Sequence, residues 1–385
     1  MEKRGHSFGP AHPLEGSRLS LISLKEVQLS IINVRAPGRV CLFGEHQDYL
    51  GLPVIPAAID RYITIQAAPQ TAQFLSVEMP DIQQFRQLSL DSVFRELAPR
   101  DYLSSGMKVL QERGIHPKGG YEVLLQGNIP ISAGTSSSSA LVVAWLVFLL
   151  AASDNQNLIV AEKLAQLAYS AEVLEHNEPG GMMDQYAIAY GGVILIESLQ
   201  NQFKVTRLAQ NLDGLVLGDS KSPKETIKGL THNRSCVEKA VAEIRRFISD
   251  FHLVNAVPAD LPSLLDHVNP ELHPYLVATV ENHAITRAAI EEFKSGNPDM
   301  RKLGNLMNRH HSQLRDHLNI STNKIEKMIA AALDAGALGA KINGSGGGGC
   351  IVALSPGRQK AVVAALQNLG VEAWPLSIAE GGSLF

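Results

Sequence analysis

Pro130-Ile131-Ser132-Ala133-Gly134-Thr135-Ser136-Ser137-Ser138-Ser139 runs without a break into Ala140-Leu141-Val142-Val143-Ala144-Trp145-Leu146-Val147-Phe148-Leu149-Leu150-Ala151-Ala152. The second part of this stretch is apolar almost all round, the pattern of a helix buried on every side. The first part is small and rich in hydroxyls, so backbone N–H groups can come close to an anion. The start of the helix adds unpaired donors and the positive end of its dipole. A single serine would serve as a helix cap. Four in succession exceed what capping needs, which favours phosphate binding over a plain cap.

On either side of this segment the chain alternates between strand and helix patterns. Upstream, Leu29 to Val34 and Val40 to Phe43 read as strands around a tight turn at Ala36-Pro37-Gly38-Arg39, and Tyr62 to Ala67 and Tyr121 to Leu125 read as further strands. Downstream, Leu158 to His176 has helical spacing through Leu164, Leu167, Ala168, Ala171 and Leu174, and Gly191 to Ile196 resembles a strand. The second half is richer in amphipathic helix: Lys221 to Phe247, Glu281 to Phe293, Thr322 to Leu333 and Gln359 to Leu369, with Pro258, Pro262, Pro270 and Pro274 marking connections. At 385 residues the chain suggests two domains, divided here as 1–210 and 211–385. The fold class expected is α+β.

Composition narrows the function. Lys plus Arg is 34 against 38 Asp plus Glu, a net charge of −4, which argues against a surface built for nucleic acid or an anionic membrane. The run ending at Ala152 is shorter than the ~18 residues of a membrane-spanning helix, and the N-terminal stretch has no apolar core of a signal peptide. Cys41, Cys236 and Cys350 are widely spaced, which reads as reduced thiols in a cytoplasmic protein. Together these features lead to the expectation of a soluble, cytoplasmic, enzymatic chain.

A second loop, Lys341-Ile342-Asn343-Gly344-Ser345-Gly346-Gly347-Gly348-Gly349-Cys350, contains G-x-G-x-x-G but runs into the strand pattern Cys350 to Leu354. The dinucleotide fingerprint must open a helix, so that reading fails on context. Five glycines instead imply backbone pressed close to a ligand or to another loop. No G-x-x-x-x-G-K-[ST] occurs. Gly44-Glu45-His46-Gln47-Asp48-Tyr49 places two carboxylates and an imidazole in one turn, a set able to hydrogen-bond several hydroxyls of a polyol. Asp184, among small and apolar neighbours, reads either as a buried helix cap or as a general base. Glu172 is a candidate metal ligand. His310, His311 and His317 match no zinc spacing and are expected on a helix surface.

Taken together, these segments resemble the GHMP kinase superfamily, most closely its galactokinases. Ala36-Pro37-Gly38-Arg39 with Gly44 to Tyr49 resembles the sugar-binding signature, the serine loop the second motif, and Gly344 to Cys350 the third; Ala171-Glu172, Met183-Asp184-Gln185 and the stretch Leu306 to Asp316 also match. The resemblance implies a two-domain fold with the active site in the cleft between domains, and ATP-dependent phosphorylation of the C1 hydroxyl of galactose or a related sugar. Asp184 would be the base and Arg39 its partner. Glu45, His46 and Asp48, with His232 of the second domain, would bind the sugar. Ser132, Ala133, Gly134, Thr135, Ser136, Ser137 and Ser138 would wrap the ATP phosphates, and Ser138 with Glu172 would bind Mg²⁺. Phosphoryl transfer needs mostly positioning and charge neutralisation, which such a set can supply.

The chain departs from the galactokinase pattern at several positions. Cys41 and Gln47 replace an Asn and a Thr of the signature, Leu50-Gly51-Leu52 replaces Asn-Gly-Gly, and Ser132 and Thr135 replace a Gly and a Leu. His232 falls where a Tyr contacts the sugar. Uronic acids, N-acetylhexosamines and arabinose therefore remain open as acceptors. The rival readings are a catalytically silent sensor of sugar and ATP, and a kinase for a non-sugar acceptor such as mevalonate; Asp48 after Glu45-His46 speaks for a polyol.

Overall fold

The computed structural model describes residues 31–385 except 132, 200–201, 210–211 and 223–225. In chain order the first part forms strands β1 (Ile32–Phe43), β2 (Ile55–Gln70), β3 (Phe74–Met79) and β4 (Gln84–Ser89), helix α1 (Tyr102–Gln111) and strand β5 (Gly120–Gly127). Helices α2 (Ser137–Ala152), α3 (Ala161–Tyr169) and α4 (Met183–Tyr190) precede strands β6 (Val193–Leu199) and β7 (Gln202–Ala209). The remainder forms β8 (Leu215–Asp219), α5 (Thr226–Ile244), α6 (Leu261–Leu265), α7 (His273–Lys294), α8 (Met300–Asp316) and α9 (Asn323–Asp334). It closes with β9 (Gly339–Asn343), β10 (Cys350–Leu354), α10 (Gln359–Gln367), β11 (Glu372–Leu376) and β12 (Ser383–Leu384).

Two sheets result. The first runs β12-β1-β2-β5-β3-β4, with β6 and β7 branching from β2; β3 and β5 are parallel and the other pairs antiparallel. The second is the antiparallel set β11-β8-β10-β9. The division expected at 210/211 falls between β7 and β8, on residues outside the described set. β12 carries the C-terminus back to the first sheet, where Val34 pairs with Leu384.

Helix α2 is the centre of the first core. From Ala140 to Ala152 every residue is buried except Leu141, as its uniform apolarity requires. Each large side chain removed from water there contributes about 1.5–3 kcal/mol. Trp145, the one with a polar handle, gives its indole N–H to Leu103 O at 2.9 Å. The second sheet is covered by α9 and α10 through Ile325, Met328, Val362 and Leu366.

Four local expectations change. Ala36 to Arg39 is no turn: β1 passes straight through it, with a register shift between Pro37 and Gly38 that absorbs the proline's missing donor. The helix expected over 158–176 is interrupted; α3 ends at Tyr169 and Ser170–Leu174 winds as a π-turn. His310 and His311 are buried rather than on a surface. His310 stacks on Phe43 with ring centroids 6.3 Å apart, and His311 Nε2 meets Glu326 Oε1 at 2.8 Å. Burial pushes both imidazoles below their usual range, His310 strongly so. The strand expected from Leu29 begins at Ile32, residues 29–30 lying outside the described set.

Candidate active site

A cleft of about 690 Å³ is walled mainly by the first sheet and its helices, with Leu230, Gly344 and Ser345 contributed from the second half of the chain. The serine loop, the turn after β1, the start of α4, the π-turn, Leu230 of α5 and the glycine loop all contribute to its wall.

At its centre Arg39, buried on β1, faces Asp184 in the first turn of α4. The guanidinium Nε donates to Asp184 Oδ1 at 2.7 Å and Nη2 to Oδ2 at 2.9 Å, a two-point pairing that fixes both groups. Burial works against the Arg39 cation, but Asp184 outweighs it and the guanidinium is held above its ordinary range. The Asp184 side chain keeps 28% of its surface exposed, so it remains reachable from the cleft. Its Oδ2 also accepts from Ser136 Oγ.

Ser136 is the N-cap of α2 in a left-handed conformation, φ 58°. Because its hydroxyl goes to Asp184, it makes no side-chain cap, and the N–H groups of the first turn are left to the cleft. Ala133, Gly134, Ser136, Ser137 and Ser138 line the cleft, as does Ser139, which the sequence reading did not single out. Thr135 does not: it is fully buried and turns its hydroxyl to Pro130 O at 3.2 Å. Ser132 lies outside the described residues.

The π-turn brings Glu172 to the same place. Its carboxyl accepts from Gln185 Nε2 at 2.7 Å, and the Ser139 and Ser138 hydroxyls stand beside it and favour its charged form. Glu172 is 5% exposed, and burial pushes its carboxyl up to about 7. A carboxyl so expensive to ionise, with hydroxyls beside it and on the cleft wall, fits a divalent cation that would restore its charge. Glu175 is not part of this group; it pairs with Lys108 at 2.5 Å. Among the described residues no three His, Cys, Asp or Glu side chains form a metal cluster.

At the other end Asp48 sits against Gly181 and Met183, whose N–H lies 3.5 Å from its Oδ2. Burial first, and Asp184 second, raise its carboxyl to about 6. His46 lines the wall and its Nδ1 meets Tyr49 Oη at 2.8 Å. Glu45 lines the wall as well. It is 2% exposed and both its oxygens are committed, one to Lys341 Nζ and the other to the Gly344 N–H. His232 is not in the wall at all; its Nε2 meets Tyr275 Oη at 2.9 Å on the outer face of α5. Cys41 and Gln47 also turn away from the cleft. Cys41 is buried in β1, and Gln47 Nε2 donates to Thr279 O at 2.9 Å. The departures from the galactokinase pattern at these three positions thus leave the wall untouched.

The glycine loop presses on the serine loop. A Cβ at Gly344 would stand 2.9 Å from Gly134 Cα, so the close partner is another loop. Lys341 and Asn343, both fully buried on β9, and Gln185 are the members of the site that sequence reasoning missed. A lysine inside a strand that otherwise reads Gly-Ala-Ile-Asn was the one available signal.

The chain matches three family models in order: the galactokinase galactose-binding signature over residues 26–69, the GHMP kinases N terminal domain over 101–192 and the GHMP kinases C terminal model over 287–372. It is 30% identical to a galactokinase of Roseiflexus sp. (strain RS-1) over 329 residues, 83% of this chain and 82% of the relative. It is 27% identical to a mevalonate kinase of Pyrococcus abyssi (strain GE5 / Orsay) over 88% of this chain and 93% of that one. The fold superposes on the crystal structure of Lactococcus lactis galactokinase complexed with galactose with a TM-score of 0.80 at 24% identity, covering 92% of this chain and 95% of the other. The sheet pair, the two loops that meet across the cleft and these matches make the chain a member of the GHMP kinase family, on the side of the galactokinases.

Proposed function

We propose that the protein is a sugar kinase that moves the γ-phosphate of ATP to the C1 hydroxyl of galactose or a close relative. The observation that carries this reading is Asp184, held by Arg39 and exposed to a cleft whose adjoining wall is an uncapped helix start. The first-turn N–H groups of α2 and the serine hydroxyls would take the phosphates. Asp184 would accept or orient the proton of the attacking hydroxyl, and Arg39 would counter charge that develops during transfer. Glu172 and Ser138 would hold Mg²⁺, which neutralises phosphate charge when bound. His46 and Asp48 would position the acceptor's hydroxyls. The proposed setting is the cytoplasm, where ATP is supplied.

Charge favours a neutral acceptor over mevalonate. The described arginines of the cleft wall, Arg39 and Arg100, are paired with Asp184 and Glu178, and buried Lys341 is paired with Glu45. An acceptor carboxylate would therefore enter beside Asp48 and Asp184 with no described cation free to meet it. The deciding experiment is ADP release with Mg-ATP over galactose, glucose, N-acetylgalactosamine, galacturonate, arabinose and mevalonate. Turnover with a neutral sugar supports the reading. Turnover with mevalonate alone overturns it, and silence throughout moves the silent sensor to the front.

A further inference from the structure

Besides the backbone bond from Cys350, one side chain of the second sheet reaches the serine loop. Asn343, fully buried at the end of β9, accepts from the Cys41 N–H with Oδ1 at 2.8 Å and donates from Nδ2 to Gly134 O at 2.8 Å. The orientation of the amide is forced, because an N–H can only donate and a carbonyl can only accept. Gly134 O takes a second donor on its other lone pair, Arg39 Nη1. The same guanidinium grips Asp184. Asn343 thus joins three segments far apart in sequence: the strand that carries Arg39, the loop that opens α2, and the glycine loop.

A trans peptide points its C=O and the following N–H in opposite directions. Fixing the Gly134 carbonyl therefore fixes the direction of the Thr135 N–H and the path of the chain into Ser136. Gly134, with φ 92°, is where the backbone would otherwise have the most freedom. Neighbouring bonds, Arg39 N to Thr135 O at 3.1 Å and Cys350 N to Ala133 O at 2.8 Å, hold the flanking residues but leave the Gly134 carbonyl to Asn343 and Arg39. Without Asn343, Arg39 alone would have to keep that peptide in place while also holding Asp184.

We infer that Asn343 is a positioning residue that sets the phosphate loop against Arg39 and Asp184, acting through the Gly134 carbonyl. The consequence for turnover rests on the kinase reading above; the consequence for the loop does not. Asn308 supplies a matched control. It braces the same strand with the same two-handed geometry, accepting from Ala340 N at 3.0 Å and donating to Leu338 O at 3.2 Å, but makes no bond to the serine loop.

The test compares Asn343→Ala with Asn308→Ala in the full chain by two readouts. The first is amide hydrogen exchange of the segment 131–140 without ligand. Asn343→Ala should raise its exchange rate at least tenfold, whereas Asn308→Ala should leave it within twofold even if both variants melt at lower temperature. The second is steady-state kinetics. Asn343→Ala should lower kcat/KM for ATP at least tenfold with the sugar KM within threefold, and Asn308→Ala should change neither by more than twofold. If Asn343→Ala does not fold, the isosteric Asn343→Asp keeps the acceptor for Cys41 but cannot donate to Gly134 O, and carries the same expectations. Unchanged exchange in 131–140, or equal exchange in both variants, overturns the inference. If the wild type turns over no sugar, the kinase reading fails, and hydrogen exchange still decides the role of Asn343.

Discussion

Arg39 and Asp184, 145 residues apart in the chain, meet face to face through two parallel N–H···O bonds of 2.7 and 2.9 Å. The first comes from a strand and the second from a helix's first turn, so the pair exists only when β1 and α4 are correctly packed. Asp184→Asn should remove most of kcat while leaving nucleotide binding within about threefold, as read by calorimetry and single-turnover rates. Arg39→Lys should also lose at least ~100-fold in kcat, because a point charge cannot reproduce the two-point grip. Near-normal kcat in Asp184→Asn would remove the base from the mechanism.

Glu172 sets a pH dependence of stability. Its folded carboxyl is raised to about 7 from an ordinary 4.5, so between these values the native protein holds a proton that the unfolded chain releases. That contribution is complete below pH 4.5 and is lost as pH rises through 7. In metal-free buffer the wild type should therefore lose about 2–3 kcal/mol more than Glu172→Gln between pH 5 and pH 8. Denaturant titrations of both proteins at the two pH values measure it. Equal losses would mean that Glu172 is ionised in the native state.

Gly181 admits no side chain. A Cβ there would lie 2.2 Å from Asp48 Oδ2 and 2.8 Å from Tyr49 N. Gly181→Ala should push Asp48 out of place and raise the acceptor KM at least tenfold, with the ATP KM within threefold. An unchanged acceptor KM would place the hydroxyl contacts elsewhere than Asp48.

The buried pair of Lys341 and Glu45 predicts a stability effect rather than a binding effect. Breaking it from one side leaves an uncompensated charge at a site with no exposure, so Lys341→Met should cost about 3–5 kcal/mol. Glu45→Gln together with Lys341→Met should cost less than the sum of the two single changes. A double-mutant cycle in denaturant reads the coupling; additive losses would separate the two residues.

The sequence by itself determined the elements whose cause is local. Uniform apolarity dictated that α2 be buried all round. The serine run before it marked the helix start as a candidate anion seat, and the strand after Gly349 spoke against the dinucleotide fold. Asp184, Arg39, Asp48 and Glu172 were named from their motifs, and all four stand in the cleft wall. Only the tertiary structure decided which polar groups face the cleft and which hold it together. Glu45 sits in the same turn as Asp48, yet Lys341, nearly 300 positions later, takes its charge. Asn343 looks like an ordinary strand residue until β9 is laid beside β1 and the serine loop. Motif and periodicity report the surroundings of a residue along the chain. Whether a buried carboxylate or amide meets a ligand or another side chain depends on partners brought in from distant sequence, and burial forces each such group to find one.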